Sequence, residues 1–358
     1  VSGLIRAIID TQALRHNLSV IRARAGRARV IAVVKANAYG HGLVSTALSL
    51  PDADAFAVAR LEEGLALRAA GISTRVMLLE GVFTASQLED AAHQGLDLVV
   101  HDPCQIELLE RAGNAERFAL WIKIDTGMNR LGFRPRDFSA ALARIRALTP
   151  APRELRVMTH LACANERDER TTSAQLASFR EAIRGLGYET SIANSAGLFG
   201  DISLGCQWVR PGLALYGASP FEDASAAALG LKPAMTLMSS VIAMRQVGHG
   251  ESVGYGAAWT AQRDSMVAIV AAGYGDGVHR SLGSGTPILI NGKRASLAGR
   301  VSMDMIAVDV TGRADVEVGS PAVLWGAGLT VEEVARHAGT IPYELLCSVS
   351  QRVPLEPR

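Results

Sequence analysis

Over about the first 215 residues, short β-branched apolar runs alternate with longer stretches in which apolar positions recur at helical spacing, the pattern of a parallel sheet with helical crossovers. The runs predict eight strands, at 30–34, 55–59, 76–79, 96–100, 118–124, 155–159, 190–193 and 207–209. Eight such units fit a (β/α)8 TIM-type barrel. An open doubly wound sheet is the alternative, weakened because no G-x-G-x-x-G turn follows the first run. Helix punctuation agrees with the strands. Asp102 precedes Pro103 as a cap and Gly113 is a stop, Thr84 with Gln87 reads as a capping box with Gly95 as its stop, and Asp10 opens a helix over 10–24.

After about Leu231 the pattern changes to β-rich runs separated by glycines, at 239–247, 265–271, 287–290 and 307–310, with an Asn291-Gly292 hairpin signal after the third. One helix starts at Thr330, where Glu333 completes a capping box. The expected organisation is a barrel over 1–230 and a mainly β domain over 231–358. The opening strand, about 1–10, is a candidate to pack with the second unit.

Composition narrows the function classes. The chain has 358 residues, 49% of them hydrophobic, and 36 Lys and Arg against 35 Asp and Glu leave a net charge of +1. Such balance, without a polybasic run, gives no support to nucleic-acid or anionic-membrane binding. No apolar run approaches the roughly 18 residues of a membrane span, and residues 1–10 lack signal-peptide features, so the cytoplasm is the expected compartment. Cys104, Cys163, Cys206 and Cys347 show no C-x-x-C spacing, which favours reduced thiols and no metal site.

In a barrel, residues just past the carboxyl ends of the strands face one mouth. Here they are Lys35, in Val34-Lys35-Ala36-Asn37-Ala38-Tyr39-Gly40-His41-Gly42, then Lys123, Asp125 and Arg130, then His160, then Asn194-Ser195, and finally Arg210-Pro211-Gly212. Glycines, a serine and a tyrosine around cations suit a bound phosphate, commonly held after strands seven and eight. Lys35 alone reads more readily as a lysine snorkelling from a strand end than as a Schiff-base lysine. A lysine, a phosphate cradle and no acidic metal cluster at one mouth together point to pyridoxal phosphate.

Eight segments in order, 34–42, 123–133, 193–197, 209–217, 253–259, 273–277, 299–309 and 341–347, make the chain resemble the alanine racemases along essentially its whole length. The resemblance implies a pyridoxal 5'-phosphate enzyme that interconverts L- and D-alanine, supplying or degrading D-alanine. It implies that Lys35 holds the cofactor and serves as one acid/base group, and that Tyr255 is the opposite one, taking the proton of the L form. Two are needed because racemisation removes a proton from one face of Cα and returns one to the other. Tyr255 reaches the neighbouring subunit's site in this family, so a homodimer with shared active sites is expected. A tyrosine ordinarily titrates near 10, and a hydrogen-bond chain through His160 to Arg210 is implied to support it.

Cofactor contacts implied by the resemblance are Tyr39, His160, Asn194, Ser195, Arg210, Tyr343 and the amides of Gly212 and Leu213. Substrate carboxylate binding falls to Arg130 and the Met303 amide, beside Asp304. Lys123 matches a lysine that is carbamylated in many relatives; an unmodified lysine paired with Asp125 is the alternative. Tyr274, Arg280 and Arg300 are assigned to the substrate entrance. Gly197, Val278-His279 and Leu161 depart from the family pattern and leave the substrate range open, with a broad-specificity amino-acid racemase of the same fold as the rival. A decarboxylase of basic amino acids shares this architecture but uses a cysteine where this chain has Val301-Ser302-Met303-Asp304-Met305.

Overall fold

In the computed structural model, which describes residues 4–166, 168–200 and 205–358, strand β1 (Arg6–Ile9) leads into the helix Thr11–Ala25. Residues 1–3 of the expected opening strand lie outside the described residues. Asp10 caps the helix, its carboxylate accepting the Ala13 amide at 2.9 Å. Eight parallel strands follow: β2 (Arg29–Val33), β3 (Ala55–Val58), β4 (Arg75–Leu78), β5 (Asp97–Val100), β6 (Ala119–Lys123), β7 (Glu154–Met158), β8 (Thr190–Ser191) and β9 (Trp208–Val209). They close into a barrel in chain order, with β9 returning to pair with β2. Strands β3, β5 and β6 are buried at every position, which is why they read as apolar runs without alternation, with charge only at Asp97 and Lys123 at their ends. The runs at 190–193 and 207–209 shorten to two residues each.

The caps hold with two adjustments. Asp102 accepts the Cys104 amide at 2.9 Å, Pro103 opens the helix Pro103–Ala112 and Gly113 closes it with φ 59. Thr84 accepts the Gln87 amide at 3.2 Å, but the Gln87 side chain reaches the Phe83 amide, at 2.9 Å, where the capping box expects that of Thr84. Thr330 likewise accepts the Glu333 amide at 3.3 Å, while the Glu333 carboxylate turns to Arg294, at 2.6 and 2.9 Å. A bidentate ionic pair outcompetes a single amide, so only half of that expected box forms.

The remaining strands are β10 (Met235–Val247), β11 (Ser252–Val253), β12 (Trp259–Thr260), β13 (Ser265–Val270), β14 (Pro287–Ile290), β15 (Lys293–Leu297), β16 (Ile306–Asp309), β17 (Pro321–Trp325) and β18 (Leu355–Pro357). Most join one sheet in the order β13-β16-β15-β14-β17-β10-β1-β18, while β11 and β12 form a separate hairpin. The opening strand thus lies in this sheet, with Ala7 opposite Leu237 on antiparallel β10. Asn291 and Gly292, at φ 50 and 73, turn β14 into β15 so that Ile290 faces Lys293; two successive left-handed residues match the twist of a two-residue hairpin.

Near the amino-terminal end of the barrel, charges are paired. Arg75 bridges Asp97 at 3.0 Å and Glu154 at 2.8 Å, and Arg156 joins Glu154 and, at 2.7 Å, Glu189. The Arg156 guanidinium also lies over Trp121 and Trp208, at 5.1 and 5.3 Å from their ring centres. Residues two apart on a strand share a face, so Trp121 and Trp208 underlie Lys123 and Arg210, one layer nearer the mouth. Among the described residues no helix is long and apolar enough to cross a membrane, and the four cysteines form no disulfide.

Candidate active site

Past β2 the chain enters a left-handed turn, with φ of 53, 53, 54 and 51 at Ala36, Asn37, Ala38 and Tyr39. Left-handed backbone costs an L-residue about 1–2 kcal/mol, so four in a row require restraint. The Ala36 amide donates to Glu63 at 2.7 Å, the Asn37 side chain accepts the Leu43 amide at 2.8 Å, and the Ala38 amide reaches Val34 at 2.8 Å. The turn leaves Lys35 half-buried at the mouth and Tyr39 buried. Tyr39 stacks on Tyr216 at 4.7 Å and tilts against Tyr343 at 5.8 Å. Behind them His41 is fully enclosed; its Nδ1 faces the carbonyls of Tyr39 and Ala38 at 2.9 and 3.1 Å, and burial pushes its pKa down to about 4. A neutral ring with its proton on Nδ1 satisfies those carbonyls.

Across the mouth, Asn194 caps the short helix Ser195–Phe199 by accepting the Gly197 amide at 2.8 Å. The buried Ser195 hydroxyl accepts the amides of Gly212, at 3.0 Å, and Ala214, at 3.2 Å. A Cβ on Gly212 would overlap the Tyr39 hydroxyl, so the missing side chain is what lets that hydroxyl lie against the Gly212 backbone. Leu213 then opens a 3-10 turn to Tyr216. The structure therefore brings together Tyr39, Ser195, Gly212, Leu213 and Tyr343, and uses Asn194 as a helix cap. Burial raises the pKa of the Tyr39 and Tyr343 phenols, which keeps both as neutral O–H donors.

The cations at the mouth have few partners. Buried Arg210 donates to the Ser191 hydroxyl and the Thr159 carbonyl, both at 2.5 Å, and lies 3.5 Å from His160 Nδ1. Its acceptors are neutral, and burial lowers its pKa to about 10. Lys123 is also buried, and desolvation together with Arg210 and Arg130 lowers its pKa to about 8. Asp125 does not pair with it: the carboxylate accepts the Gly127 and Asn129 amides, at 3.1 and 2.9 Å, and lies 3.6 Å from Arg134. Desolvation, reinforced by Arg210, Lys123, Arg130 and Lys35, pushes His160 down to about 2. Arg210 can only donate, so His160 Nδ1 accepts and Nε2 carries the proton.

The other expected residues stand apart, on the β side of the molecule. Tyr255 sits between β11 and β12, 68% exposed, and no hydrogen bond joins it to His160 within the chain. Arg300 lies under Gly256 next to it, at 3.1 Å from the position a Cβ would take. Tyr274, Met303 and Met305 are exposed as well, as is Arg280. The Asp304 carboxylate is occupied by Arg352 at 2.6 Å, and the same guanidinium holds Asp276 at 2.7 Å. Exposed aromatic and methionine side chains near arginines have the composition of a protein interface. Glu63, Tyr216 and Arg352 escaped the sequence reading. Glu63 is the third residue of the helix Leu61–Ala69, but Arg60 before it is no capping residue, so no capping signal marked it.

Two family models cover nearly the whole chain: the alanine racemase N-terminal domain over residues 9–220 and the alanine racemase C-terminal domain over residues 234–356. A curated alanine racemase of Nitrosococcus oceani is 50% identical over 349 residues, 98% of each chain. The biosynthetic alanine racemase of Pseudomonas aeruginosa superposes with a TM-score of 0.95 at 47% identity, covering 99% of this chain and 98% of that one. The alanine racemase of Acinetobacter baumannii gives 0.91 at 37%, covering 99% of each.

The electrostatics of His160 predict its titration. Its folded pKa lies below the ordinary 6.5, so the unfolded chain binds a proton that the native ring refuses. Stability contributed by the neutral ring is complete above the ordinary value and is lost as pH falls below it. Imidazole resonances assigned with His160→Gln should not move between about pH 5 and 8. A midpoint in that range would show that the surrounding cations do not act on the ring.

Proposed function

Since the chain belongs to the alanine racemase family and is an amino-acid isomerase acting on alanine, we propose that it interconverts the two enantiomers with pyridoxal phosphate, using Lys35 and Tyr255 as opposed acid/base groups in a homodimer. The observation that carries the cofactor is the mouth itself. Tyr39, Ser195 and Gly212 form a cradle of neutral donors beside Arg210, a buried cation whose hydrogen-bond acceptors are neutral. Such a pocket fits a phosphate dianion joined to an aromatic nitrogen base. When bound, the cofactor supplies an electron sink that acidifies the Cα–H of an attached amino acid.

The residues divide the remaining work. Lys35 would hold the cofactor through its amine and move a proton at Nζ on one face of Cα. Tyr39, Ser195, Tyr343 and the amides of Gly212 and Leu213 would bind the phosphate, with Asn194 fixing the helix that presents Ser195. Arg210, a strong donor that seldom gives up its proton, would hydrogen-bond the ring nitrogen without protonating it, limiting charge drain and side reactions. His160, with its proton on Nε2, would steady the phenolate of the partner subunit's Tyr255 on the other face. Exposure of Tyr255 in the single chain is consistent with a role in the neighbouring site. Arg130 and the Met303 amide, with Asp304 held alongside by Arg352, would bind the substrate carboxylate, and Tyr274, Arg280 and Arg300 would line the entrance.

Lys123 completes the proposal as a carbamate. A lysine shifted to about 8 has a neutral fraction at working pH. Its Nζ can bond to the carbon of carbon dioxide and release a proton, which turns an unpaired cation beside Arg210 and Arg130 into an anion between them.

Borohydride reduction of the cofactor-loaded protein is expected to fix the label on Lys35; peptide mapping to another lysine refutes the assignment. Chiral analysis of alanine, serine and lysine in the same preparation separates an alanine enzyme from a broad-specificity racemase. For the opposite face, Tyr255→Phe should keep its cofactor while Cα proton exchange with deuterated solvent drops by about 10² or more from L-alanine and much less from D-alanine. Equal losses would reject the two-base division. Isotopically labelled bicarbonate should give a carbamate resonance in the protein that disappears in Lys123→Met.

A further inference from the structure

We propose that Glu63 is a positioning residue for Lys35, acting through the backbone of the left-handed turn to set the proton-transfer geometry on the lysine face; the proposal rests on the reading that Lys35 carries the cofactor. One Glu63 oxygen accepts the Ala36 amide at 2.7 Å, and the other accepts the amides of Ala59 at 2.8 Å and Arg60 at 3.2 Å. A single half-buried carboxylate thereby ties the residue after Lys35 to the end of β3 and the start of the next helix.

The geometry gives that tie a specific consequence. The Ala36 N–H and the Lys35 carbonyl belong to one rigid peptide plane, so fixing the amide fixes the rotation about Lys35 Cα–C. The hydrogen bonds of the turn itself run from the Ala38 amide to Val34 and from the Gly40 amide to Ala36, and the Ala36 amide looks outside it for an acceptor. Ala36 and Asn37 are exposed, so packing does little to hold the plane. Hydrogen bonding does it, against a left-handed conformation that costs about 1–2 kcal/mol per residue.

A carboxylate is required for chemical reasons. Three N–H donors converge on two oxygens, and each oxygen serves a different segment of chain. Glutamine offers one oxygen, and its amide nitrogen would face a second donor, so Glu63→Gln breaks one arm of the tie. Aspartate keeps both oxygens and the charge but is one methylene short.

The experiment compares loaded wild-type, Glu63→Gln, Glu63→Asp and Glu62→Gln homodimers. Glu62 is exposed in the same helical turn, so its variant removes the same charge without touching Ala36. For Glu63→Gln, Cα proton exchange into deuterated solvent is expected to fall about 10- to 100-fold from D-alanine, the substrate of the lysine face, with exchange from L-alanine largely kept; small misplacements of reacting groups have effects of this size. The rate of borohydride labelling at Lys35 should change with it, Glu63→Asp should show the same one-sided loss in milder form, and Glu62→Gln should match wild type. Wild-type exchange and labelling in both Glu63 variants would overturn the proposal. So would equal losses from both enantiomers, the signature of general destabilisation. A wild-type label away from Lys35 would overturn the functional reading itself, a result distinct from normal labelling with unaffected variants.

Discussion

Burying cations at the mouth of the barrel without carboxylates to meet them is the constraint from which the rest of the site follows. Arg210 meets only neutral acceptors, a hydroxyl, carbonyls and the His160 ring, and Lys123 has no ion pair among the described residues. Arg130 and Lys35 add to the same field, which acts on Lys123 and His160. The protein tolerates this because carbonyls solvate Arg210 and because Lys123 can give up its charge. Unpaired buried cations of this kind favour the company of anions.

The opposite end of the barrel shows what the same strands do when no ligand has to fit. Arg75 and Arg156 find Asp97, Glu154 and Glu189, and Arg156 also lies over the rings of Trp121 and Trp208. The change from paired to unpaired charge takes place within two residues, from Trp121 to Lys123 and from Trp208 to Arg210. A rigid, closed floor beneath an electrostatically incomplete mouth is a preorganised site: the donors are already aimed when an anion arrives, and little reorganisation remains to be done.

On the β side Tyr255, Tyr274, Met303 and Met305 are exposed, and Arg352 binds the loop of Asp304 to the turn of Asp276. Lys35 and Tyr255 stand on different parts of the fold, the first past β2 at the barrel mouth and the second between β11 and β12.

The sequence by itself determined the barrel, because strands buried on both faces must be continuously apolar and their order along the chain leaves little choice of closure. It also determined the Asn291-Gly292 hairpin and the Asp10 and Asp102 caps, whose signals are local, and its eight motif segments carried the family resemblance. Polar strand β15, short β18 and the hairpin of β11 and β12 lacked the apolar run that marks a strand, and only pairing with neighbours made them visible. Tertiary structure alone decided that Glu333 leaves its capping box for Arg294, that Asp125 turns to amides and Arg134 and leaves Lys123 unpaired, and that Glu63 reaches back to Ala36. Each of these is a competition among partners distant in sequence, settled by which charge or donor the folded chain brings within hydrogen-bonding distance.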